Sequence, residues 1–533
     1  MDMKKINNIN DIPAEKFRLA NREDTSHDKK LETKPLTYFQ DAFRRFCKNK
    51  GAVVGAVVIS ILVLFALIAP LFTPFTPGYH DKKYMYATPK LPIAEELGLD
   101  FWDGYKKKTE VNYMTYLKDY ALGLELGRDV IKDGEYTVDD NGMYTYRYDT
   151  YHGVGFGKYK KVSFQEYEDI QRYQRETGRQ VLYPVVALND RPTHLKNAED
   201  ANIYYVTENP AAATIRPKLD ADGNIQVNYW KYKEGTTLSA LIVPYDSQRI
   251  EGEDGVQING ETYYYVYGRN LGGSVEVRAD YYEYYTYYHT QVEKDGIEEP
   301  LFLFGTTEEG KDIFACLSYG ARFSFIFAIL VAVVNLVVGV IWGSISGYYG
   351  GKLDLAMERF CEVLGAVPTM IVITLLKYHL GGTTPQALIL FIAFFATGWI
   401  GMAGRTRMQF YRFKNQEYVL TARTLGAKDR RIMFKHIFPN AIGTLVTSCA
   451  LIIPSMIYSE TSLSYLGIIN LEAGERTSVG TLIAAGQKAI IIPGAAYVAI
   501  FPCVFLIMLM LSFNLFGNGL RDAFNPSLRG TEG

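Results

Sequence analysis

The chain has 533 residues, 48% of them hydrophobic, and a formal net charge of -2, the profile of an ordinary soluble protein of several domains. That average hides a cancellation: residues 73–312 hold 27 Lys and Arg against 40 Asp and Glu, and the remainder holds 29 against 18. The basic parts also contain long uncharged apolar runs, which sets aside a wholly soluble globular protein.

Residues 1–35 are polar and show no apolar period, which predicts a flexible segment, and residues 1–50 as a whole are expected to be a cytoplasmic N-terminal tail. Residues 51–72 carry no charge over 22 positions, enough for a helix to cross a hydrocarbon layer roughly 30 Å thick. A signal peptide is the competing reading, but the run starts too late, and Pro70, Pro74 and Pro77 stand where a cleavage motif would be needed. Arg44, Arg45, Lys48 and Lys50 anchor its cytoplasmic end.

Residues 73–318 read as an inserted, mixed α/β extracytoplasmic domain. Aromatic segments at 262–267 and 281–288 predict strands, 106–120 and 164–178 predict amphipathic helices, and Asp-Gly, Asn-Gly and Gly-Gly pairs supply turns. Its many tyrosines suit a packed sheet with a polar rim; a peptide or glycan surface is the alternative. No cysteine lies between Cys47 and Cys316, and the five cysteines form no CxxC or His/Cys cluster, so neither a disulfide framework nor a metal site is expected.

Five further spans are predicted within 319–516, near 323–346, 358–377, 385–404, 438–459 and 492–516. Gly339, Gly343 and Gly347 permit close helix contact in the first of these. The second opens on Glu358, Arg359 and Glu362 and is interrupted by Pro368. Those charges either line a pathway, form a structural network, or snorkel to the interface. Lys377 and His379 are assigned to the outer interface, and His436 to local packing. Six crossings put both termini on one side. Basic residues before the first span, around Lys352, through the 405–438 loop and in the 517–533 tail make that side cytoplasmic.

The segment from Glu417 to Asn440 reads EYVLTARTLGAKDRRIMFKHIFPN: a short helix, a Gly426-Ala427 turn, then a basic helix. Such a unit inserts into a partner cleft, or lies along anionic lipid. There is no phosphate-binding GxxxxGK[ST] loop, no spacing suggests a catalytic, cofactor or metal site, and nothing points to nucleic acid.

This segment resembles the coupling motif of the permease subunits of binding-protein-dependent ABC importers, in the OppC/DppC-like branch for oligopeptides and dipeptides. Further pieces agree in order: FGTTEEGKDIFACLSYGARFSF at 304–325, GYYGGKLDLAMERF at 347–360, SLSYLGI at 462–468 and LSFNLFGNGLRDAFNPSLRG at 511–530. The resemblance is loose over 36–80, strong over 301–530, and absent from the insertion. It implies a six-helix type I ABC importer permease core forming half of a translocation pathway for peptides, with nickel or another small solute as the alternative cargo. It also implies a homologous second permease, two ATP-binding subunits that use ATP and Mg, an extracytoplasmic substrate-binding protein and surrounding lipid. Glu417, Thr421, Ala422, Gly426 and Ala427 become the expected contact with the ATP-binding subunit, Thr421 standing where the family's motif has Ala. A membrane-anchored extracellular recognition protein is the competing reading; one or two anchors would suffice for it.

Overall fold

A computed structural model describes residues 38–152, 159–186, 202–207, 214–237, 239–243, 256–382, 384–471 and 477–524. The expectations for residues 1–35, and for the tail beyond 524, lie outside the described residues.

The described residues begin with α1 (Tyr38–Lys48), inside the segment expected as the cytoplasmic tail. Phe46 of α1 packs edge-on against Phe516, 5.4 Å away, so tertiary contact holds this short helix. Asn49 then caps α2 (Lys50–Phe72), its side chain accepting from the Ala52 amide.

The insertion contributes α3 (Pro92–Glu96), β1 (Tyr105–Val111), α4 (Tyr113–Leu126), β2 (Ile131–Val138) and β3 (Tyr144–Asp149). After them come β4 (Lys160–Val162), α5 (Phe164–Thr177), β5 (Leu182–Tyr183), β6 (Tyr204–Thr207), β7 (Thr214–Pro217), β8 (Lys231–Lys233) and β9 (Ile242–Val243). The last of its elements are β10 (Val256–Ile258), β11 (Glu261–Tyr265), β12 (Gly268–Asn270), β13 (Val275–Ala279) and α6 (Tyr281–Tyr287). The larger sheets run in the orders β1-β3-β2, β10-β11-β8 and β4-β13-β12-β9. The helix at 164–178 and the strand at 262–267 are present in close to the expected places.

Two expectations in the insertion are overturned. Residues 106–120 are not one helix: Lys106–Lys108 pair with β3, and Asn112 starts α4 by accepting from the Thr115 amide. Residues 281–288 are helical. Asp280 caps α6 at the Tyr282 amide, and Tyr281, Tyr284 and Tyr288, spaced three and four apart, stack along one face. Tyrosine favours strands, but its spacing here is a helical one.

After the insertion come α7 (Ile313–Tyr349), α8 (Gly351–Gly365), α9 (Thr369–Leu380), α10 (Gln386–Phe413), α11 (Glu417–Thr424), α12 (Asp429–Arg431), α13 (Phe438–Tyr465), α14 (Val479–Ala489) and α15 (Tyr497–Phe524). Among the described residues, five helices are long and apolar enough to cross a membrane; α8 and α9, bent by 67°, make a sixth if taken as one span. The expected third span therefore starts earlier than residue 358 and breaks ahead of Thr369, where Pro368 cannot continue α8. The last span is displaced toward the C-terminus of the expected 492–516, and α14 occupies what was expected as a connection, opened by a reciprocal Ser478–Thr481 cap.

Lipid supplies no hydrophobic drive between helices, so close packing does the work. The row Gly339, Gly343 and Gly347 lies against α10: a Cβ on Gly339 would meet Met402 at 2.6 Å, one on Gly347 would meet Phe410 at 2.7 Å, and one on Gly343 would strike the Ala403 carbonyl. On the other side of α7, Leu62, Ala66, Phe325, Leu509 and Phe513 form the main core. The insertion sits at the end of the bundle where α2 stops and α7 starts, and α11 and α12 sit at the opposite end.

Candidate functional site

At the end remote from the insertion, α10 stops at Phe413, and after Lys414–Gln416 the chain re-enters a helix at Glu417. α11 is only eight residues long, so its own hydrogen bonds cannot hold it, and tertiary packing must. Val419, Ile432 and Ile437 are fully buried beside Tyr348 and Phe410, and Ala427 packs partly against the same cluster. The turn is made by Gly426 at φ +80°, left-handed backbone that a Cβ disfavours, with open space where that Cβ would be. The basic continuation is not a single regular helix: α12 gives way to a wider π turn over Ile432–Ile437 before α13 begins.

Among the residues expected at a partner contact, Glu417, Thr421 and Gly426 are exposed, and Ala422 and Ala427 are half-buried. Thr421 donates its hydroxyl to the Glu417 carbonyl at 2.8 Å, so the Ala-to-Thr departure is satisfied within the helix. Sequence reasoning missed the apolar members of this face. Tyr418, Leu420 and Leu425 are also exposed, Leu425 at 82%. A leucine beside the turn signals burial in a sequence, and only the packing direction of Val419 shows that Leu425 points away.

Polar ties connect this segment to the end of α7. The Tyr348 hydroxyl donates to Asp429 Oδ1 at 2.6 Å, and Lys414 Nζ donates to the Gly347 carbonyl at 3.1 Å. Gly350 and Gly351, at φ +67° and +60°, then turn the chain into α8.

The expected charge network of Glu358, Arg359 and Glu362 does not come together as one group. Arg359 pairs with Glu362 on the exposed side of α8, whereas Glu358 accepts from Arg407 Nη2 at 2.6 Å. Arg407 also makes a two-pronged bond to Asp354, Nε to Oδ1 at 2.6 Å and Nη2 to Oδ2 at 2.7 Å. Asp354 is 5% exposed and further accepts from the Tyr411 hydroxyl at 2.6 Å and from the Ser346 hydroxyl. A cavity of about 450 Å³ opens beside this cluster, with Trp342, Cys361 and Ile400 among its walls. Neither Asp354 nor Arg407 stood out in the sequence; a lone carboxylate and a lone guanidinium flanking apolar helices were the available signal.

At the other end, Glu460 is fully buried and accepts from Ser324 at 3.0 Å and Ser464 at 3.2 Å, linking α13 to α7. Lys377 donates to the Ile468 carbonyl at 2.6 Å. Among the described residues no group of three or more His, Cys, Asp or Glu side chains is arranged to hold a metal ion.

Residues 339–530 match the family described as the binding-protein-dependent transport system inner membrane component, and residues 37–89 match the N-terminal TM domain of oligopeptide transport permease C. The two matches lie on either side of the insertion. The oligopeptide transport system permease protein OppC of Bacillus subtilis is 43% identical over 228 residues, 42% of this chain and 72% of that protein. The dipeptide transport system permease protein DppC of the same organism is 38% identical over 226 residues, 42% of this chain and 69% of its own length. Among solved structures, an inward-facing form of the MetNI methionine ABC transporter is similar over 39% of this chain and 94% of its own at 14% identity, with a TM-score of 0.31.

Proposed function

The chain belongs to the OppC/DppC-like permeases of binding-protein-dependent ABC transporters, and from that membership we infer that it forms half of the translocation pathway of an importer for oligopeptides or dipeptides. The observation that carries the reading is the relation to OppC and DppC, 43% and 38% identical over 228 and 226 residues, together with the family match over 339–530, which holds the α11–α12 segment.

In this reading α11 and the turn at Gly426 seat against an ATP-binding subunit. Leu420 and Leu425 supply apolar contact, Glu417, Thr421, Ala422 and Ala427 line the same segment, and the basic residues of 428–435 meet an acidic rim. Hydrolysis of ATP with Mg takes place on two such subunits, and their closure pushes on residues 417–435. The ties at Tyr348 and Lys414 carry that push into α7, shifting the bundle between two arrangements. A homologous second permease completes the pathway. A substrate-binding protein delivers peptide to the end that bears the insertion, which lies outside the cytoplasmic membrane, with the termini and α11–α12 in the cytoplasm.

The test is to purify the native complex, identify its subunits, and measure ATP-dependent uptake of a peptide library into reconstituted vesicles. Peptide uptake with an ATP-binding partner present is the expected result. A complex lacking that partner would sink the transporter reading. An intact complex that moves nickel or another small solute but no peptide would overturn the substrate alone.

A further inference from the structure

We propose that Arg407 is a positioning residue that makes the bent pair α8–α9 follow the coupling segment. The proposal rests on the importer reading and adds the route by which movement at α11 reaches the membrane helices.

α7 and α10 are closed on one another along the row of glycines at 339, 343 and 347, where no side chain separates the backbones, so these two helices move as one body. α8 is attached differently. It follows two consecutive left-handed glycines, Gly350 and Gly351, and Asp354 is its one buried residue. An aromatic contact, Trp342 with Phe360 at 5.5 Å, touches α8 farther along. The charged hold on α8 is the cluster at Asp354 and Glu358, and Arg407 bonds both carboxylates at once.

Arg407 lies on α10, two turns before that helix ends and passes into the coupling segment. The same segment is fixed to the last turn of α7 by Tyr348 and Asp429. The Gly350–Gly351 turn is therefore bracketed, with one tie before it and the guanidinium beyond it. A displacement of α11 that tilts the joined α7–α10 body carries α8 with it through Arg407, so that the pair follows that body instead of swinging freely about the glycines. A planar guanidinium with a bidentate grip transmits direction as well as force, which a point charge does not.

The test uses the reconstituted full complex and reads peptide uptake per ATP hydrolysed. Arg407→Gln is expected to lower that ratio about ten-fold. Arg407→Lys, a point charge without the fork, should recover only part of it, staying about three-fold below the unaltered complex. A purely structural role would reduce the amount of assembled complex and leave the ratio unchanged, and that result would overturn the proposal. Should Arg407→Gln fail to assemble, Tyr411→Phe and Glu358→Ala remove one bond each from the half-exposed rim of the cluster. At least one of them is then expected to lower the ratio about two-fold, and unaltered ratios in both would be equally fatal. If the unaltered complex moves no solute on ATP, the importer reading falls and takes this proposal with it.

Discussion

Arg278 on β13 is fully buried and donates to both Glu125 oxygens, Nη1 to Oε1 at 2.6 Å and Nη2 to Oε2, and to the Pro184 carbonyl at 3.1 Å. Tyr229 donates to the same Glu125 at 2.7 Å, so one carboxylate joins α4, β13 and the strand region beyond β7. Glu125→Ala strands a guanidinium in the interior of the insertion, and breaking a buried pair costs about 3–5 kcal/mol. Amide exchange in α4 and β13 should accelerate accordingly; unaltered protection would show that the pair contributes no net stability. Asp312, the N-cap of α7, accepts from the Ala315 amide at 2.8 Å, and burial pushes its carboxyl up to about 7. Tyr79 and Tyr151 are in its electrostatic range, both with pKa values pushed far above the ordinary phenol value by burial. A carboxyl raised in the folded state binds its proton there more tightly than in the unfolded chain. The stability is therefore full below about pH 4 and lost as pH rises through about 7, by about 4 kcal/mol at most. Asp280, raised to about 6 by burial, acts with the same sign. The melting temperature should fall from about pH 4 to pH 7, and Asp312→Asn should leave only the part that ends near pH 6. An identical pH profile in the variant would remove Asp312 from the account.

At the scale of elements, the glycines separate two kinds of joint. Gly343 is a contact: its missing Cβ admits the Ala403 carbonyl of α10, so Gly343→Leu must part α7 from α10. Overpacking of this sort costs about 1–3 kcal/mol, and thermal unfolding of the purified chain should show it, more than the same change at the open Gly404. Gly426 is a turn: a side chain there meets open space, and the penalty is the left-handed backbone, about 1–2 kcal/mol for most residues. Gly426→Val should lower uptake per ATP while the substrate-binding protein docks as before, and Gly426→Asn, which tolerates that backbone, should be milder. Equal transport in both would remove the turn from the coupling path. The long apolar helices were legible in the sequence because hydrocarbon accepts only uninterrupted apolar runs, whatever their period. The turn at Gly426 was legible for a related reason, since glycine there has a backbone purpose. The tyrosine helix α6 was misread because strand propensity outweighed spacing. Arg407 and Asp354, 53 residues apart, were invisible as a pair, because only the zipped glycines bring α8 and α10 together.

The whole molecule is a permease with a folded domain set into one connection, and the junction shows how the two parts coexist. The chain leaves and returns at adjacent backbone: the Lys90 amide donates to the Phe302 carbonyl at 3.0 Å. Termini this close let a domain be inserted without separating its flanks. The flanks also hold themselves. Thr306 N bonds the Ala87 carbonyl at 3.0 Å, Ala87 N bonds the Thr306 hydroxyl at 2.8 Å, and the Tyr497 hydroxyl of α15 reaches the same Ala87 carbonyl at 2.9 Å. None of these bonds involves residues 91–301. The insertion does add contacts to the seat: Trp102 donates to the Leu303 carbonyl at 3.0 Å, and Tyr151 and Tyr285 cover Tyr84 and Phe302. Joining Lys90 to Phe302 through a few Gly and Ser residues closes a short gap at small entropic cost but bares those two aromatic rings. The excised chain should therefore still insert and co-purify with the second permease and the ATP-binding subunits, at a lower melting temperature, and Phe302→Ser should improve its solubility. Co-purification retained with transport lost would assign the insertion to substrate delivery. Failure of the excised chain to accumulate, with and without Phe302→Ser, would make the insertion part of the permease core, and the hydrogen-bonded flanks would then be insufficient to hold α2, α7 and α15 in register.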